Sequence, residues 1–181
     1  MKAITLLLGL LSLTAFSLQA EPVEWDFTTL KQIPQTVWKH TDNDAKLTVT
    51  RDNDIQSPAG TGALKAEITQ PGVRKNAYDI QLNFTQKLKI TDGKRYRITF
   101  LWKASRPAKI LTACFTTSAP YTPYGQPDKF TNEVDDTWRE ETLEFVGTGM
   151  ETATLRVPVF ALGTQPEGLI LWIAKLKFEE L

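Results

Sequence analysis

The chain has 181 residues, in which 21 lysines and arginines balance 21 aspartates and glutamates. This length suits one domain, and the neutral charge does not favour binding to nucleic acid or to an anionic membrane surface. Cys114 is the only cysteine, which excludes a disulfide within the chain, so packing must hold the fold together.

The first 20 residues have the pattern of a secretory signal peptide. Lys2 supplies an early positive charge, an apolar run follows over 4–13, and the segment ends at the small residue Ala20. The run is shorter than the roughly 20 residues that span a bilayer, so a retained membrane anchor is the less favoured alternative. We therefore predict a signal peptide over 1–20 and one exported domain over 21–181, with no membrane span after cleavage, in the periplasm or outside the cell.

The remaining chain is predicted to form short β-strands. Apolar and polar residues alternate with a period of two, and Gly, Pro, Asn or Asp stands at most breaks. No stretch of about 12 residues keeps a helical period, so we expect an all-β antiparallel sandwich or barrel. The predicted strand segments are 45–51, 62–69, 77–84, 87–90, 94–104, 108–117, 137–147, 153–163 and 167–181.

Segment 76–84, NAYDIQLNF, alternates strictly between apolar and polar residues. In a strand, successive side chains point to opposite faces, so one face is predicted in the core and the other is polar. An ordinary solvated face remains the alternative for the polar row. The predicted core residues are Tyr78, Ile80, Leu82 and Phe84, and the polar row is Asp79, Gln81 and Asn83.

Aromatic residues divide into two groups. Some lie on apolar strand faces and are predicted in the core, whereas Tyr121 and Tyr124 stand in a Pro-rich loop over 119–130. In the segment 153–163, an inward Leu155 would turn Arg156 and Phe160 outward if the period of two continues. The aromatic residues predicted in the core are Tyr96, Phe100, Trp102, Phe145 and Phe178.

Evidence for a catalytic or metal site is weak. His40 is the only histidine, and no G-x-S-x-G segment is present, so a nucleophilic triad is disfavoured. One histidine and one cysteine do not suit zinc. Two Asp-Asn-Asp segments, 42–44 and 52–54, fit turns better than calcium loops. Adjacent acidic pairs at 135–136 and 140–141 point to opposite strand faces, which disfavours a glycosidase pair.

Amides, a guanidinium group and aromatic rings together suit a sugar. Sugar hydroxyls both donate and accept hydrogen bonds, and planar amide and guanidinium groups can bond two at once. Each neutral hydrogen bond contributes only about 1 kcal/mol, so such sites are shallow and of weak to moderate affinity.

Several segments together resemble a known family. NAYDIQLNF, ITDGKRYRITFLWKAS, DDTWREETLEFVG, LRVPVFALG and LILWIAKLKFEEL, in this order and spacing, are similar to the cellulose- and xylan-binding modules of families 4, 9 and 22 (CenC type). The resemblance covers about residues 22–181. It implies a galactose-binding-like β-jelly roll, without catalytic activity, whose concave sheet holds a poly- or oligosaccharide. The residues it implies in that groove are Asp79, Gln81, Asn83, Thr112, Thr116, Arg156 and Phe160, with Tyr121 and Tyr124 at the rim.

The sequence departs from the family at its structural calcium site. Members commonly carry acidic ligands at two places where this chain has Thr28 and Ala174, so we expect no calcium and no other cofactor. A structural or interaction role in the cell envelope, without sugar, is the alternative function, and an enzyme ranks below both. The particular glycan and the oligomeric state are left open.

Overall fold

The computed structural model describes residues 21–88, 90–117, 123–124, 130–147 and 153–181, so the predicted signal peptide lies outside it. The described residues contain β-strands, a short 3₁₀ turn, η1 (Ala77–Asp79), and no α-helix. None of their helical segments could cross a membrane. The strands are β1 (Val23–Asp26), β2 (Val37–Thr41), β3 (Lys46–Ser57), β4 (Gly60–Gln70), β5 (Ile80–Leu88), β6 (Arg95–Ala104), β7 (Ala108–Thr116), β8 (Pro123–Tyr124), β9 (Thr131–Val134), β10 (Arg139–Val146), β11 (Ala153–Ala161) and β12 (Ile170–Glu180).

These strands form two antiparallel sheets that pack face to face. The front sheet has the order β2-β5-β11-β7-β8, with β9 also paired to β7. The back sheet has the order β10-β6-β12-β4-β3, with β1 also paired to β12. Neighbouring strands are often distant in sequence, which gives a jelly-roll-like sandwich. The predicted all-β, two-sheet fold is confirmed.

The core lies between the sheets and is rich in aromatic rings. Strand β6 alternates as its sequence predicts, with Tyr96, Phe100 and Trp102 buried. Phe100 packs edge-on against Trp102, with ring centroids 4.9 Å apart. Aromatic pairs in this geometry add stability beyond their buried area. Phe145 and Phe178 are also buried, so these five aromatic residues lie in the core as predicted.

The two Asp-Asn-Asp segments differ in structure. Residues 42–44 form a turn, in which Asn43 and Asp44 have φ values of 51° and 63°. Residues 52–54, predicted as a turn, instead lie within β3, where its register with β4 shifts after Asp52. The Asp52 carboxylate accepts a hydrogen bond of 3.0 Å from the Trp172 indole. A bulge therefore replaces the expected turn, and the hairpin continues beyond it.

We predict that the thiol of Cys114 is inert in the folded protein. Cys114 is buried, and burial raises the pKa of its thiol to about 12, so almost no thiolate forms near neutral pH. Ellman's reagent at pH 8 should therefore react with no more than a trace of native protein and with one thiol per chain in denaturant. Fast labelling of the native protein would show that β7 does not bury this residue.

Candidate functional site

The outward face of the front sheet is built from β2, β5, β11 and β7. The register places Trp38 of β2 beside Asn83 of β5 and His40 beside Gln81. On the other side of β5, Asn83 is paired with Val159 of β11. Paired side chains on one face lie close together. This surface, called the front face below, therefore collects side chains from four separate parts of the chain.

A pocket of about 410 Å³ opens on the front face. Two of the polar residues predicted from the sequence, Gln81 and Arg156, meet in it. The Arg156 Nη1 donates a hydrogen bond of 3.0 Å to the Gln81 Oε1, and the Gln81 Nε2 donates one of 2.9 Å to the Tyr78 carbonyl. The two planar groups are therefore held in fixed orientations. The described lining residues are His40, Tyr78, Gln81, Phe115 and Arg156.

Arg156 extends across the front face from β11 to β2. Its guanidinium carbon lies 5.1 Å from the centre of the Trp38 ring, a distance typical of a cation–π contact. Its Nη2 also donates a hydrogen bond of 3.4 Å to the carbonyl of Thr117. Arg156 thus links strands on both sides of β5, which lies between β2 and β11 in the sheet.

Aromatic side chains that the sequence reasoning did not assign to the site also lie on the front face. Tyr78 and Phe115 make an edge-to-face contact with ring centroids 5.7 Å apart, and the Trp38 ring lies against the Arg156 guanidinium. Phe115 could have been found from the alternation in β7, because Cys114 faces the core and its neighbour must face outward. Trp38 and His40 gave no such signal, since β2 is a short edge strand.

Tyr78 was predicted in the core, and this prediction is wrong. The strand begins only at Ile80, and residues 77–79 form η1, where the period of two does not apply. Asn76 and Asp79 cap this turn reciprocally. The Gly163 N–H donates a 2.9 Å hydrogen bond to the Ala77 carbonyl, and a side chain at 163 would collide with the Asn76 carbonyl. This close approach fixes Tyr78 over the pocket.

Asp79 lies at the end of the front face but is used within the protein. Its Oδ2 accepts a hydrogen bond of 3.1 Å from the Asn76 N–H, and its Oδ1 accepts one of 2.9 Å from the Asn43 side chain. The carboxylate is buried. Asp79 is therefore a capping residue for η1, and the prediction that it lines the groove is corrected.

Phe160 was predicted to face outward, and the structure places it in the core. Between the paired positions Arg156 and Val159, β11 advances three residues while β5 advances two. This β-bulge contains Pro158, which cannot donate to the ladder. The bulge reverses the alternation, so Val159 faces outward and Phe160 inward. Phe160 is fully buried, with its ring centroid 5.2 Å from that of Phe100.

Thr112 and Thr116 were expected in the groove, and the structure does not place them there. Both are buried and share the strand face of Ile110 and Cys114, which belong to the core. The Thr112 hydroxyl donates a 2.7 Å hydrogen bond to the Phe130 carbonyl. Strand β7 thus alternates, but its threonines lie on the inner face and not on the predicted outer face.

The remaining predicted site residues have different positions. Asn83 lies on the front face and is fully buried. Tyr121 lies outside the described residues, and of Tyr124 only the backbone is described, paired with Cys114. The predicted roles of the two tyrosines at the rim remain predictions.

We predict that Phe160 and Phe115 differ strongly in their contribution to stability. Phe160→Ala should lower the free energy of unfolding by roughly 3–5 kcal/mol, because it leaves a cavity in a packed aromatic core. Phe115→Ala, on the half-buried front face of the neighbouring strand, is the matched control and should cost about 1–2 kcal/mol. Urea unfolding followed by circular dichroism measures both, and equal losses would contradict the inward position of Phe160.

The corner formed by Thr28 and Ala174, where the resemblance in sequence would place calcium ligands, contains an ion pair. The Asp26 carboxylate lies 2.8 Å from the ammonium of Lys175, and it also accepts a hydrogen bond of 2.5 Å from the Thr28 hydroxyl. Ala174 contributes only its carbonyl, which accepts a hydrogen bond from the Phe27 N–H. Calcium needs 6–8 oxygen ligands. The ammonium of Lys175 lies 2.8 Å from the Asp26 carboxylate and 3.9 Å from that of Glu24, and this positive charge would repel the ion. The residues present do not fit a calcium ion.

The ion pair at this corner should make stability depend on pH. Burial raises the pKa of Asp26, but hydrogen bonds from Lys175 and Thr28 outweigh it and hold the pKa below its reference value of 3.8. The ionised form therefore stabilises the fold above that pH, and the stabilisation is lost as pH falls through the lower pKa of the folded state. Asp26→Asn should cost about 1 kcal/mol at pH 7.

The difference between wild type and Asp26→Asn should shrink steadily as the pH is lowered from 5 to 2. Urea unfolding across this range measures it, with Asp136→Asn, at an exposed position in a turn, as the control. A difference that stays constant with pH would show that the carboxylate charge does not stabilise this corner.

Comparisons with known proteins give structural relatives only. No family model and no curated protein matches the chain. A solved structure described as CBM4 has 20% identity and a TM-score of 0.56, and the match covers 86% of this chain and 94% of that one. The CBM22-1 xylan-binding domain of Xyn10C from Paenibacillus barcinonensis has 12% identity and a TM-score of 0.55, covering 87% and 92%. The fold is that of carbohydrate-binding modules.

A third structure extends the likeness to cellulose binders. The N-terminal cellulose-binding domain of β-1,4-glucanase C from Cellulomonas fimi has 14% identity and a TM-score of 0.54, covering 83% of this chain and 91% of that one. The resemblance inferred from the sequence is therefore confirmed at the level of the fold, over most of the chain.

Proposed function

We propose that this protein is an exported, non-catalytic carbohydrate-binding module that holds a poly- or oligosaccharide on its front face. One observation carries the proposal. Gln81 and Arg156, 75 residues apart in sequence, are hydrogen bonded to each other in one pocket, and aromatic rings line the same pocket. Export is expected from the predicted signal peptide.

The chemistry of the pocket suits a sugar ring. The amide of Gln81 can donate and accept, and the guanidinium of Arg156 can donate to two hydroxyls at once. The rings of Tyr78 and Phe115 offer apolar surface for the C–H face of a pyranose. Because the Gln81 amide is already oriented by its hydrogen bond to the Tyr78 carbonyl, its contact with a sugar costs little side-chain entropy.

The same pocket does not support glycoside hydrolysis. That reaction needs two carboxyl groups about 5–10 Å apart on either side of the bond. Among the described lining residues there is no carboxylate, and Asp79, the nearest acidic residue in the predicted row, is occupied in capping η1. These observations support binding without catalysis.

A structural role without sugar is the alternative function. It would be favoured by a front face that is flat or filled by side chains. The pocket of about 410 Å³, with polar and aromatic side chains converging on it, supports glycan binding instead.

Affinity electrophoresis tests the proposal. Gels containing soluble xylan or hydroxyethylcellulose, chosen because structural relatives are described as xylan- or cellulose-binding, should retard the wild-type protein. Gln81→Ala and Arg156→Ala should each weaken binding about tenfold, because each removes hydrogen bonds to the sugar worth about 1–2 kcal/mol. Thr142→Val, on the exposed face of β10 in the back sheet, is the control and should bind as wild type.

Two outcomes would contradict the proposal. Either no soluble polysaccharide, in a panel extended to mixed-linkage glucan and galactomannan, retards the protein, or both pocket variants bind as tightly as the control. Circular dichroism should confirm that each variant is folded before its affinity is compared.

A further inference from the structure

Asn83 occupies an unusual position on the front face. It faces outward from β5, with Trp38 paired to it on one side and Val159 on the other. An outward residue in the middle of a sheet face would normally contact water, but Asn83 is fully buried. Neither its Oδ1 nor its Nδ2 has a hydrogen-bond partner among the described residues.

The side chain of Arg156 lies on the same face of the sheet as Asn83. Arg156 extends from β11, crosses β5 and reaches the ring of Trp38 on β2. It also donates to Gln81, two residues from Asn83 on the same face. Trp38 is paired with Asn83 in the sheet register, and Arg156 joins Trp38 to Gln81. This pair, Trp38 and Arg156, is called the cover below.

A covered amide without partners destabilises the free protein. Burial removes the hydrogen bonds that the amide would make to water, and nothing among the described residues replaces them. Leucine has the same number of side-chain heavy atoms and the same branch point, so an apolar residue could occupy the position without that cost. A buried unsatisfied group in a folded protein requires an explanation, and a function in which the amide becomes accessible provides one.

We propose that the cover over Asn83 opens when a glycan binds, and that Asn83 and Trp38 then become contacts to the sugar. This inference rests on the proposed function and extends it to a hidden part of the same site. Moving the guanidinium from the indole frees one face of Trp38 for a pyranose ring. The uncovered amide can donate to one hydroxyl and accept from a neighbouring one, which suits a neutral sugar with adjacent equatorial hydroxyls.

The cover also sets the affinity of the site. The sugar and the guanidinium compete for the same face of Trp38, so part of the binding energy is used to open the cover. A protein whose binding-competent state is a minor one binds with an affinity reduced by that fraction. The pocket around Gln81 and Phe115 is open without this motion and would take the first sugar unit.

The first experiment needs no ligand. Asn83→Leu removes the unsatisfied amide and should raise the Tm by about 3 °C, whereas Thr142→Val on the back sheet should leave it unchanged. A lower Tm for a folded Asn83→Leu protein that also binds polysaccharide as wild type would overturn the inference, because the amide would then serve the fold and not the ligand.

The second experiment uses soluble xylan and hydroxyethylcellulose as probes. Asn83→Leu and Asn83→Ala should each weaken binding at least tenfold. If leucine does not fit at position 83, the alanine variant, which adds no volume, provides the comparison with wild type. Saturating polysaccharide should change the tryptophan emission of wild type, and Trp38→Phe should abolish that change although the other four of the five tryptophans remain.

The outcomes separate the two proposals. Wild-type binding with unchanged affinity in Asn83→Ala, or an unchanged emission signal in Trp38→Phe, overturns the cover and leaves glycan binding in place. If wild type binds no polysaccharide, the proposed function fails, and the ligand role of Asn83 and Trp38 fails with it. In that case a raised Tm for Asn83→Leu would still show that the amide is unsatisfied in the free protein.

Discussion

The bulge in β11 determines which side chains reach the core and which reach the front face. Without it, the period of two would point Phe160 outward and leave a gap beside Phe100 and Trp102. With it, Phe160 completes the aromatic core, and Arg156 is left on the outer surface at a position from which it reaches Gln81 and Trp38. Packing density and site geometry therefore depend on the same local irregularity.

This dependence fits a fold that has no disulfide within the chain. A domain of this size is held by burial of its apolar surface, and the cluster around Phe84, Phe100, Trp102 and Phe160 provides much of it. The front face can then carry groups that lower the stability of the fold. Asn83 is the clearest example, because its buried amide has no hydrogen-bond partner among the described residues.

The outer faces of the two sheets carry different polar groups. On the back sheet, charged side chains form ion pairs, as Arg97 does with Glu144, and Lys103 also lies over the rings of Trp138 and Trp172. On the front sheet, the polar groups around the pocket contact aromatic rings and each other. A glycan is proposed on the front face because Gln81 and Arg156 meet there in a pocket that aromatic rings also line.

The sequence by itself determined the fold class, the alternation of β6 and β5, and the outward positions of Gln81 and Arg156. These follow from local periodicity, which is a property of each strand. Only the tertiary structure decided the places of Tyr78, Phe160, Thr112 and Asp79, and it alone revealed Trp38 and Phe115. Each of these depends on where a strand begins, where it bulges or which strand lies beside it. Such features arise from pairing between distant segments, because a one-residue change of phase moves every later side chain to the opposite face.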